Sequence, residues 1–196
     1  MSDFSVLGAV SLTLRQILTT NITNSTGTLQ GIAIDLRSPK ELQVGGQSAV
    51  SVWLYKVSRM AEMWNDPPER RGLNQLLRAP LPLELHYLVT PMLQDPVTRH
   101  TVLGRVLQVM NDNAILGGSD LQGALAGTPE RLRVNLEALT VEELSLVWEA
   151  LHEPYQLSVT YLVQVAKIDS DLEPLRSSPV LERDVDYVQV VAETGA

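Results

Sequence analysis

The chain of 196 residues contains no cysteine, so disulfide scaffolds and thiolate metal sites are excluded. Aromatic residues make up 5%, and Phe4 is the single phenylalanine, which leaves leucine and valine to build the core. Basic residues are outnumbered, 15 Lys and Arg against 23 Asp and Glu, for a net charge of −8. That balance argues against a nucleic-acid binder, which needs lysine and arginine against phosphates. No hydrophobic run approaches the roughly 18 residues of a membrane span. The first sixteen residues carry Asp3 and Arg15 and lack the basic start of a signal peptide, so the expectation is a soluble chain made in the cytoplasm.

Catalytic motifs are missing as well. The histidines His86, His100 and His152 stand at no metal-ligand spacing. No G-x-S-x-G elbow occurs, and the pairs Gly45-Gly46 and Gly117-Gly118 open neither a dinucleotide fingerprint nor a P-loop. Asp169 and Asp171 begin like a calcium loop, but the glycine and closing glutamate are absent. The expectation is a protein that is not an enzyme and takes no cofactor or metal.

What is present is packing. Apolar content of 44% suits one globular domain. Residues 4–21 place Val6, Val10, Leu14, Ile17 and Leu18 at helical spacing, with Ser2 or Asp3 available to cap. Residues 29–36 read as a strand, and 38–46 as a loop. Residues 49–57 alternate with large apolar groups on both sides, which predicts a strand covered on both faces. Residues 81–89 return to strand. Asp95 then caps a helix with Pro96 at its first position. Residues 111–127 form a glycine-rich loop. Residues 131–137 form a strand with Leu132, Val134 and Leu136 inward. Thr140 and Glu143 make a capping box for a short helix burying Leu144, Val147, Trp148 and Leu151. Residues 155–167 alternate as a final long strand. The pattern predicts an α+β fold, a mixed and mostly antiparallel sheet with helices packed on one face, plus an extended C-terminal arm.

Two stretches flank this scaffold. Residues 60–80 form a polar excursion with Trp64 and the bases Arg70, Arg71 and Arg78. Trp64 is either a packing anchor or an interface residue, since tryptophan and arginine are enriched at binding hot spots. From Asp169 onward seven acids face two bases, which accounts for most of the net charge. A Pro/Ser/acid linker leads to residues 180–191, which alternate weakly. This tail reads either as a solvated extension or as an acidic arm that docks on a partner. The boundaries predicted are a domain at 1–169 and a linker with arm at 170–196.

The order of an N-terminal helix, then SVWLYKVSRMAEMWND, PLPLELHYLVTPM, TRHTVLGRVLQVM and PYQLSVTYLVQVAKID resembles the cap, or tail-terminator, proteins of phage-tail-like contractile injection systems. The likeness spans residues 6–169 and leaves residues 111–128 without a clear match. It implies a homohexameric ring that binds the distal end of the inner tube and the sheath and stops their growth. The partners implied are self, sheath protein and inner tube protein, with no nucleic acid and no membrane, in a particle assembled after synthesis. The interface residues expected in the excursion, for a neighbouring copy of the ring or the tube, are Trp64, Arg70, Arg71 and Arg78. Because sheath subunits of such systems exchange extended arms, those expected in the C-terminal arm are Asp184, Val185, Asp186, Tyr187, Val188 and Val190. Two other readings stand beside it. One is a bacteriophage tail-completion or head–tail connector protein. The other is a small ligand-binding domain or hydrolase, which would need a deep pocket with converging polar groups.

Overall fold

A computed structural model describes residues 4–61, 63, 70–72 and 75–176. The framework is a six-stranded sheet in the order β1-β2-β5-β8-β7-β6, formed by β1 (Ala33–Asp35), β2 (Ala49–Arg59), β5 (Leu81–Met92), β6 (Ile115–Gly117), β7 (Arg131–Glu137) and β8 (Val159–Ile168). Its pairings are antiparallel except β1 with β2, so the sheet is mixed and mostly antiparallel, as the alternating sequence predicts.

The helix α1 (Val6–Leu18) buries Val6, Ala9, Val10, Thr13, Leu14, Ile17 and Leu18 on one stripe. Thr13 satisfies its hydroxyl by donating to the Ala9 carbonyl at 2.8 Å. A wider turn over Thr19–Thr23 continues the helix and carries Ile22 into the core. Helix α3 (Pro96–Asp112) packs beside it, capped by Asp95, whose carboxylate accepts from the Thr98 amide at 2.7 Å. Both cover the face bearing Val50, Val52, Leu85, Tyr87, Val134 and Val163.

The opposite face is also covered. Helix α4 (Val141–Leu151) lays Trp148 and Leu151 on Leu88, flanked by Trp53 and Tyr55. The helices therefore occupy both sides of the sheet rather than one. The reason is the pattern of β2 and β5, whose outward positions Trp53, Tyr55 and Leu88 are too apolar to face water. The Thr140–Glu143 capping box forms as expected.

Other local expectations shift. Residues 29–36 yield only the three-residue β1, because Gly31 adopts a φ of +81° and the Ile32 amide turns back to the Leu29 carbonyl. Residues 38–46 contain the helix α2 (Pro39–Val44), opened by a second capping box in which the Ser38 hydroxyl accepts from the Glu41 amide. Residues 111–127 contribute β6 and two single 3-10 turns rather than plain loop. Leu136 is 58% exposed instead of inward, because it lies beyond the stretch of β7 that β6 covers. The last strand begins at Val159, four residues later than the alternation suggests.

A second, smaller sheet joins β3 (Arg70–Arg71), β4 (Gln75–Leu76) and β9 (Leu175–Arg176). The 60–80 excursion and the start of the C-terminal stretch thus meet, with Leu76 paired to Leu175.

Candidate functional site

The structure brings part of the expected interface together. Arg70 and Arg71 form β3, and β4 next to it pairs with β9, which ends in Arg176. Arg78 lies exposed on the segment leading into β5, its Nε donating to the Glu173 carbonyl at 3.4 Å. Exposed guanidinium groups of Arg70, Arg78 and Arg176 therefore gather around one small sheet, in a chain that is otherwise acidic. Trp64 and the arm residues Asp184, Val185, Asp186, Tyr187, Val188 and Val190 lie outside the described residues.

The tightest polar cluster is one that sequence spacing missed. His86, on β5 and 5% exposed, has Nε2 2.8 Å from Ser58 Oγ on β2. Its Nδ1 lies 3.1 Å from both carboxylate oxygens of Glu137 at the end of β7. The Tyr55 ring stands edge-on to the imidazole, 6.0 Å between centroids. Burial beside the Glu137 carboxylate pushes the Tyr55 phenol up to about 12. Only the fold could reveal this cluster, because 28 and 51 residues separate Ser58 and Glu137 from His86.

Serine, histidine and a carboxylate in this order match the bond sequence of a hydrolytic triad. The surroundings do not support that chemistry. A nucleophilic serine of this kind sits on a sharp turn beside free backbone donors that stabilise an oxyanion. Ser58 instead lies inside β2, in register with Glu84, between Val57 and Arg59. The arrangement does what buried hydrogen bonds do, locking β2, β5 and β7 in register.

A shallow cleft of about 290 Å³ lies between α2 and the ends of β2 and β5. Its walls carry Gln43, Gln47, Gln94 and Gln156 beside Leu42 and Met92, with no titratable side chain. Among the described residues no group of His, Cys, Asp and Glu is placed to hold a metal, and no helix is long and apolar enough to cross a membrane.

The sequence matches the family model of the Pvc16 N-terminal domain over residues 9–182. The chain belongs to this family. Two solved structures share the Pvc16 N-terminal domain's fold. One is the sheath/tube terminator of PVC, an extracellular contractile injection system, in its extended state. It superposes with a TM-score of 0.63 at 19% identity, covering 100% of this chain and 67% of that one. The other is the anti-feeding prophage cap, a tube-terminating cap, with a TM-score of 0.60 at 21% identity, covering 91% of this chain and 60% of that one. The chain thus spans roughly two thirds of one and three fifths of the other. No curated protein matches the chain. The family resemblance read from residues 6–169 is borne out by the Pvc16 N-terminal domain match. That match also runs through residues 111–128, where the sequence motifs show no correspondence.

Proposed function

We propose that this chain is a terminator subunit, which caps the distal end of the inner tube and sheath of a contractile injection system and stops further addition. The observation that carries this reading is the Pvc16 N-terminal domain match over residues 9–182. Likeness of fold to a sheath/tube terminator and to a tube-terminating cap supports it. The reading is non-enzymatic: it asks the scaffold for rigid surfaces, and the Ser58–His86–Glu137 cluster around the buried His86 supplies rigidity.

In this role six copies close into a ring through a head-to-tail interface. The arginine-bearing sheet of β3, β4 and β9, with Arg78 and Trp64, is the surface offered to a neighbouring copy or to the tube. Residues 180–191, including Asp184 to Val188 and Val190, form the arm that adds as a strand to the last sheath ring. Electron microscopy of particles carrying a labelled copy tests the cap: label at one end only, with six-fold rings, is expected, and even label along the shaft refutes it. A chain ending at residue 179 should still join the tube end but fail to retain sheath. Normal sheath retention would remove the arm from the model.

A further inference from the structure

β2 is eleven residues long, yet β1 covers only its first three, pairing Ala33 with Ala49 and Asp35 with Ser51. Among the described residues no strand lies on that side of residues 52–58. Strand edges left open in this way are templates for another strand. This one is also selective. A bulge between Leu54 and Lys56 interrupts it, and the exposed Lys56 places a charge on it, both of which discourage indiscriminate pairing. Val57, 44% exposed, shares a face with the buried Leu85 opposite it, whereas Lys56 lies opposite His86 on the other face.

We propose that this open edge is a strand-acceptor site and that its occupant is the chain's own residues 180–191. Three observations point to that segment. First, β9 pairs with β4, which belongs to the connection between β2 and β5, so the chain departs from Arg176 near the end of the sheet where β2 finishes. There the Met60 amide bonds to the Pro82 carbonyl at 3.1 Å, beside the last pairing of β5 with β8. Second, a tether of three residues, 177–179, can reach at most about 10 Å, roughly two strand spacings. The segment can therefore run back along β2 in the antiparallel sense without a long crossover. Third, the side chains match. An antiparallel register with Val185 opposite Val57 places Asp186 opposite Lys56 and keeps Tyr187 on the apolar face. Apolar then meets apolar, and acid meets base, as cross-strand pairs favour. The edge holds the arm in the free subunit. Its release to a sheath edge during assembly is a second step, which rests on the terminator reading above.

Because the chain has no cysteine, an engineered pair reports the contact directly. Val57→Cys combined with Val185→Cys, under mild oxidation of the full chain, is expected to form a disulfide within one chain in most molecules. The pair Val57→Cys with Thr194→Cys is expected to form at least tenfold less, and adding Lys56→Asp to the first pair is expected to slow its closure. Equal closure of the two pairs, or a disulfide formed only between chains, overturns the proposal. Hydrogen exchange gives a readout free of cysteine: deleting residues 180–196 is expected to speed amide exchange in residues 52–58 at least tenfold, and unchanged exchange overturns it. The release step is read separately, by sheath binding of the Val57→Cys, Val185→Cys protein. Binding lost on oxidation and restored by reduction supports it, and equal binding in both forms overturns it. Absence of the wild-type chain from particle ends would dismiss the cap reading and leave the disulfide result standing.

Discussion

His86 ties together strands that the sequence keeps far apart: Ser58 on β2 and Glu137 on β7 both reach its ring. Replacing it with alanine removes the partner of a carboxylate whose side chain is only 21% exposed. We expect His86→Ala to cost about 2 kcal/mol in urea denaturation, the penalty of leaving such groups unpaired. Pairing His86→Leu with Glu137→Met should recover most of that loss, since no charge is then stranded. The tyrosines set a limit at the alkaline end. Burial raises the phenols of Tyr87 and Tyr161 to about 12, as burial and the Glu137 carboxylate do for Tyr55. Each folded value lies above the ordinary 10.0, so the unfolded chain loses these protons first. Stability is full below pH 10 and falls as pH rises toward 12, and a denaturation series across that window should show it. Tyr87→Phe should flatten part of the fall, at the cost of the 2.8 Å hydrogen bond to Ser11.

Among the elements, α4 is the one whose parts separate most cleanly. Its start depends on the Thr140 side chain and its face on Trp148, which is 1% exposed with Nε1 donating to Ser158 Oγ at 3.3 Å. Its last turn ends at His152 in the left-handed region, and Lys40 of α2 donates to the Leu151 carbonyl. Thr140→Ala should cost about 1 kcal/mol, as lost caps do. Trp148→Ala should cost about 3–5 kcal/mol and expose the outer face of β5. Thermal melts of the two variants distinguish cap from core. Caps of this kind were legible because they are local: Thr140 with Glu143 and Asp95 with Pro96 are read within four residues. The same signal, Ser38-Pro39 with Glu41, opens α2, where glycine and polar residues nearby suggest loop. The long strands were legible through alternation. The end of β7 was not, because Leu136 alternates correctly but lies beyond the residues that β6 pairs, with β8 alone beside it. The site was least legible. The arginines of residues 70–78 stood out by composition, whereas their meeting with β9 and the bond of His86 to Glu137 depend on contacts across more than fifty residues.

For the whole molecule, the last buried core residue among the described ones is Val163 of β8. Beyond β8 the described chain adds only β9, paired to the two residues of β4. A chain ending at Asp169 should melt within about 4 °C of the full one, the shift that about 1 kcal/mol produces in a domain of this size. A loss of cooperativity in that melt would show that residues 170–196 belong to the core. The opposite end of the chain behaves differently. The Thr13 hydroxyl of α1 accepts from the Gln122 amide at 3.0 Å, across 109 residues of sequence. Gly123, at φ +59°, sits where an added Cβ would come 3.4 Å from Ala9. Helix α1 therefore acquires these neighbours only after more than 100 further residues have been made. Such distant closure slows folding, and the apolar stripe of α1 must stay shielded during synthesis of most of the chain. Expression yield is expected to depend on chaperone supply more than the stability of the finished molecule would suggest.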